Sequence, residues 1–138
     1  MQARVKQSNR ELTKPVDDEI AKKLRLVLKE LNMISNDIEA SAVISSDGLV
    51  KAAMLGESID PDRFGAMCAT LLALSKRAAT ETGRGELKLL MIEGTKGTMM
   101  VVQIGAKGVL AIAAKPKSKL GMIFLEVKKV SEKISVII

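Results

Sequence analysis

Three short breaks, each carrying glycine and each lying between β-prone stretches, constrain this chain more than any other feature. Ser46-Asp47-Gly48 separates residues 38–45 from 49–55, Gly94-Thr95-Lys96-Gly97 separates Glu86–Glu93 from Thr98–Ile104, and Gly105-Ala106-Lys107-Gly108 separates the latter from Val109–Ala114. Connections this short leave no room for the long crossover that parallel neighbours need, so the strands pair as antiparallel hairpins. Asp47-Gly48 is the strongest signal, because Asp-Gly supplies the positive φ angles of a tight hairpin turn.

Helical periodicity fills the remaining segments. Pro15 and the acidic residues Asp17, Asp18 and Glu19 mark a helix start near residue 16, since carboxylates favour the positive end of a helix dipole. Ile20, Leu24, Val27, Leu28 and Leu31 then repeat on one face, with the charged residues mostly elsewhere. A second helix runs from about 61 to 82, opened by a cap at Ser58 or Asp60 with Pro61 in its first turn and closed by Gly83. After the basic loop Lys115-Pro116-Lys117-Ser118-Lys119, the residues Leu120, Ile123, Phe124, Val127, Val130 and Ile134 mark a third amphipathic helix. The predicted order is α-β-β-α-β-β-β-α. This is an α+β sandwich with one five-stranded antiparallel sheet in a single domain over residues 16–138, preceded by a polar, basic tail at 1–15.

Composition removes many functions. There is no histidine and one cysteine, Cys68, which excludes Ser-His-Asp and Cys-His nucleophile pairs, His-containing zinc sites and an internal disulfide. The net charge of +6 suggests nucleic acid, but half of it lies in residues 1–15, and the only aromatics, Phe64 and Phe124, lie outside the basic stretches. Nucleic acid is therefore a disfavoured partner. No apolar run approaches the roughly 20 residues of a membrane span, and the lone cysteine fits a reducing cytoplasm. Gly94-Thr95-Lys96-Gly97-Thr98 joins two strands and lacks the order of a phosphate-binding loop, and Cys68 sits among apolar residues without a base. The residues call for no cofactor, no metal and no catalytic apparatus.

The second helix is the informative one. Phe64, Met67, Cys68, Leu71, Leu72, Leu74 and Ser75 fall on one side, the expected core face. Opposite lie Ala66, Ala69 and Ala73 with Thr70 beside them and Lys76, Arg77 and Thr80 at the far end. No charge interrupts the helix from Phe64 to Ser75, so its back is expected to be covered. Small side chains at this spacing suit close approach of the same helix from a second copy around a two-fold axis.

The segments Ala42-Val43-Ile44-Ser45-Ser46-Asp47-Gly48-Leu49-Val50, Asp60-Pro61-Asp62-Arg63-Phe64-Gly65-Ala66-Met67, Leu71-Leu72-Ala73-Leu74-Ser75 and Gly85-Glu86-Leu87 leading into Ile92-Glu93-Gly94 resemble the Roadblock family. That family comprises the dynein light-chain Roadblock proteins and their archaeal and bacterial relatives, and the likeness covers about residues 16–135. It implies a Roadblock/profilin-like domain that dimerises through its second helix and third strand, which adds Leu87 and Leu89 to an interface of Ala66, Ala69, Thr70, Ala73 and Arg77. Family members are non-catalytic platforms. Some regulate small Ras-like GTPases, as the bacterial polarity activator does, and others scaffold Ragulator or dynein. Ala40 stands where relatives often have glycine, and the Lys115–Lys119 loop is not a family feature.

The expected function is a homodimeric, non-catalytic cytoplasmic adaptor that binds a small Ras-like GTPase, with Arg63, Lys76, Arg77 and Arg84 as candidate partner contacts. The alternatives are a dimeric scaffold without a GTPase, or a binder of anionic surfaces or nucleic acid through the basic tail and the Lys115–Lys119 loop.

Overall fold

A computed structural model describes the backbone of residues 2–138 and the side chains from Asp18 onward. The elements are α1 (Gln2–Ile34), β1 (Ile38–Ser45), β2 (Val50–Met54), α2 (Pro61–Glu81), β3 (Leu89–Gly94), β4 (Gly97–Ile104), β5 (Gly108–Ala114) and α3 (Leu120–Ile137). The five strands form one antiparallel sheet in the order β2-β1-β5-β4-β3. The element order matches the sequence expectation. One boundary moves substantially: α1 begins at Gln2 rather than near residue 16. Residues 2–14 contain neither glycine nor proline, and Pro15 has a backbone φ compatible with a helix that forgoes one hydrogen bond there.

The sheet divides two unequal cores. On one face α1 and α3 pack side by side, burying Leu24, Leu28, Leu31, Ile123, Val127, Val130 and Ile134 against Val43, Met100, Leu110 and Ile112. These are the positions that periodicity marks in both helices. On the other face α2 lies alone, and its Cys68 and Leu72 meet the small side chains Ala42, Val101, Val109 and Ala111 together with Ile44. The helix is capped by the Asp60 carboxylate, which accepts from Asp62 N–H at 3.2 Å, with Pro61 in the first turn where its missing donor costs nothing.

The β1–β2 connection seats α2. It is a three-residue turn in which Gly48 alone has a positive φ, +91°, so Asp47 does not take the left-handed conformation expected of a two-residue Asp-Gly turn. Ser45 N–H donates to Leu49 O at 2.8 Å, Gly48 N–H donates to Ser45 O at 3.0 Å, and the Ser45 hydroxyl bonds the Asp47 carboxylate. That hydroxyl bond holds Asp47 below its ordinary value of 3.8, so its contribution is present above that pH and is lost as pH falls below it. Gly65 of α2 rests on this turn. A Cβ on Gly65 would lie 2.3 Å from Gly48 O and 3.0 Å from the Val50 side chain, so glycine is required for the helix to approach this closely.

Gly65→Ala is expected to lift α2 from the turn and to cost about 1–3 kcal/mol by overpacking. Gly56→Ala, where a Cβ meets nothing within 4 Å, should change stability by less than about 0.5 kcal/mol. Chemical-denaturation midpoints of the two variants test the contrast.

Candidate interaction surface

α2 presents to solvent a stripe whose members recur at alternating spacings of three and four: Arg63, Ala66, Met67, Thr70, Ala73, Leu74 and Arg77. The stripe's spacing averages 3.5 residues, a period that keeps the same face of a helix directed to one side. Two of its members correct the sequence analysis. Met67 and Leu74, expected in the core, are 45% and 60% exposed. The tight seat at Gly65 brings Gly65, Cys68 and Leu72 down onto the sheet, which turns Met67 and Leu74 outward. Leu71 and Phe64 are half-buried flanks rather than core centres.

The expected interface residues divide accordingly. Ala66, Thr70, Ala73 and Arg77 lie exposed on the stripe, whereas Ala69 is half-buried, facing the turn at Gly48. The Thr70 hydroxyl donates to Ala66 O at 3.0 Å within its own helix, so even the polar member of the stripe turns its donor inward. Between Arg63 and Arg77 the stripe carries no charge.

Beside α2 the sheet ends in β3, which among the described residues hydrogen-bonds only to β4 and leaves its other edge open. Strand parity separates its side chains. Leu90 packs on the α2 side with the preceding Leu87, and Ile92 shares that face, exposed. Leu89, expected in the interface with Leu87, points to the opposite side and packs against the α1/α3 core. The strand begins at Leu89 rather than at Glu86, and pairing of Leu89 with Val102 sets this alternation. Met67, Leu74 and Ile92 are apolar residues on this side of the sheet whose exposure the sequence does not announce. The three-and-four spacing from Arg63 to Arg77 places the first two on one stripe.

The four candidate cationic contacts do not form one cluster. Lys76, Arg77 and Arg84 gather around the end of α2, where Arg77 Nε pairs with Glu81 at 2.9 Å and Arg84 Nε donates to Thr82 O at 3.0 Å. Lys76 faces a groove with Gly85, Leu87 and Gln103. Arg63 lies in the first turn, about 20 Å away along the helix axis at 1.5 Å per residue. Among the described residues, no three carboxylate or thiol side chains converge as a metal site would require. Cys68 is fully buried, and burial pushes its thiol up to about 11.

This is an α+β sandwich with one helix-covered face left partly open and a free strand edge beside it. The chain belongs to the Roadblock/LC7 family, whose domain matches residues 24–114. It is 39% identical over 108 residues to MJ1340, an uncharacterized protein of Methanocaldococcus jannaschii, with 78% of this chain and 93% of that protein covered. In fold it is similar to Myxococcus xanthus MglB, with a TM-score of 0.77 at 21% identity over 85% of this chain and 88% of the other. It is also similar to LokiProfilin1, solved in complex with rabbit actin, with a TM-score of 0.63 at 16% identity over 86% and 98% of the two chains.

With its thiol near 11, Cys68 is ionised to only about one part in a thousand at pH 8. An aromatic disulfide reagent is expected to label the folded protein only as fast as α2 opens, and the unfolded protein within seconds. Labelling rates measured with and without denaturant check this.

Proposed function

We propose that the protein is a homodimeric, non-catalytic adaptor of the cytoplasm that binds a small Ras-like GTPase, with α2 and the open edge of β3 forming the dimer seam. The observation that carries this reading is the uncharged, exposed stripe from Ala66 to Leu74 beside a sheet edge whose Ile92 is also exposed. A lone helix back facing water would ordinarily carry charge. Here Met67 and Leu74 supply knobs, and Ala66 and Ala73 supply the space into which a partner's knobs fit. Pairing β3 with its copy extends the sheet and satisfies the unpaired backbone groups of both edges. Membership of the Roadblock/LC7 family supports the same seam.

A two-fold axis across antiparallel α2 helices would bring Arg63 of each copy towards the other copy's helix end, near Lys76, Arg77 and Arg84. The dimer would thus reunite cations that a single chain keeps apart, and so present a basic border to an acidic switch region. The GTPase reading rests on the resemblance and on this charge arrangement.

Ala73→Glu places one carboxylate from each copy in the dehydrated seam and is expected to convert a dimer to a folded monomer. Light scattering with circular dichroism decides this, and an unchanged dimer mass would sink the seam. For the partner, immobilised dimer should retain a GTP-loaded small GTPase from the source organism. Arg77→Glu should weaken that capture about 10-fold, the effect of one interfacial charge contact. Retention of no GTPase, with the dimer intact, leaves a structural scaffold.

A further inference from the structure

A second exposed apolar region lies on the opposite face of the sheet from α2, where the end of α1 meets the start of α3. Met33 is 81% exposed and Met122 63% exposed, and Ile34 and Leu125 are exposed as well. Two contacts bring these residues to one end of the molecule. Lys115 N–H donates to Asp37 O at 2.8 Å, joining the chain just after α1 to the loop just before α3. At the other end Ile20 and Ala21 of α1 line a pocket with Ile138, and Lys133 of α3 lies 3.9 Å from Glu30 of α1 between the two ends, so the two helices run side by side in opposite directions. The residues of α1 that face the core are Leu24, Leu28 and Leu31, and those of α3 are Ile123, Val127 and Val130. Helical geometry then turns Met33 and Met122 outward from the same layer.

The β5–α3 loop that borders this apolar end carries charge of one sign. Between residues 94 and 125 the chain has five lysines and no carboxylate. Lys107 belongs to the far end of the sheet, where it donates to Ile138 O. Lys115, Lys117 and Lys119 are exposed in the β5–α3 loop, and Lys96 joins them from the neighbouring turn, because Gly97 backs onto Ala114 and Lys115. Among the described residues, none of these four forms an ion pair. Of the nearby acids, Glu126 faces Lys129 at 3.9 Å and Asp37 is half-buried, while Glu39 lies with Lys96, Met99 and Ala113 on the α2 side of the sheet and the exposed Glu93 flanks the Lys96 turn.

We propose that this end, formed by Met33, Ile34, Met122 and the lysines of the 115–119 loop, docks on an anionic phospholipid surface. Flexible apolar side chains ringed by lysines match a bilayer interface, where the side chains enter the headgroup boundary and the ammonium groups meet lipid phosphates. A single-stranded nucleic acid would instead call for aromatic stacking platforms, and no aromatic lies fully exposed here. A second copy related by a two-fold axis would set lysine against lysine. The end lies on the α1/α3 layer, so a dimer built through α2 leaves it open in both copies.

The test is flotation of the full chain with vesicles of phosphatidylcholine alone and of phosphatidylcholine mixed equally with phosphatidylglycerol. Binding only to the anionic vesicles is expected, weakening as salt rises. Each of Lys115→Gln, Lys117→Gln and Lys119→Gln should weaken it about 5-fold, and the triple variant on the order of 100-fold, with unchanged circular dichroism and dimer mass. Met33→Ser combined with Met122→Ser should remove the binding that survives at high salt. Equal binding to both vesicles, binding to neither, or undiminished binding of the triple variant would overturn the proposal. So would tighter, lysine-dependent binding of a single-stranded oligonucleotide, or a concentration-dependent mass increase without lipid that Met122→Ser abolishes.

Discussion

The close approach of Gly65 to the turn at Gly48 determines what the α2 face of this protein can be. One helix must serve five strands, and it does so by descending at its N-terminal end until its backbone meets the backbone of the β1–β2 turn. Small residues beneath it, Ala42, Val109 and Ala111 among them, permit the same closeness farther along. A helix held that near the sheet buries only a narrow strip of itself, so its remaining apolar side chains must face outward. Exposure of Met67 and Leu74 follows from this seating as much as from the identity of the residues.

The two faces of the sheet therefore differ in kind. Beneath α1 and α3, large side chains such as Leu28, Met100 and Ile134 interdigitate in a continuous core. Beneath α2 the layer is thinner and stops short of the β3 edge, where Leu90 is half-covered and Ile92 is open. With only two aromatic residues in the chain, methionine fills both buried and exposed positions, as Met100 and Met67 illustrate. Its unbranched thioether fills irregular gaps in a core and adapts to varied surfaces at low cost.

The features legible in the sequence are those set by local physics. The stripes of α1 and α3 were visible because two helices packed side by side bury a wide arc, and the hairpins were visible because glycine marks their turns. Asp60 as the α2 cap follows from its place before Pro61. The misassigned residues all depend on long-range contacts. A helical wheel shows that Phe64, Met67, Cys68 and Leu71 lie near one another but not how far the helix is rotated, and that rotation is set by a glycine meeting a turn 17 residues earlier in the chain. Leu89, expected in the interface with Leu87, has its side chain on the other face of the sheet through its register against Val102. The start of α1 moved because nothing between Gln2 and Lys14 interrupts a helix, although charge makes that stretch look like a tail.

The two ends of the strand order are not equivalent. β2 is five residues long, carries the exposed Lys51, and pairs with a β1 that is irregular between Val43 and Ile44, all of which discourage a further strand. β3 has no such irregularity and bears apolar side chains. A chain with two welcoming borders could add copies head to tail without limit and form fibres. With a single receptive border, any strand addition would consume that border in the first encounter, so growth would stop at a closed pair.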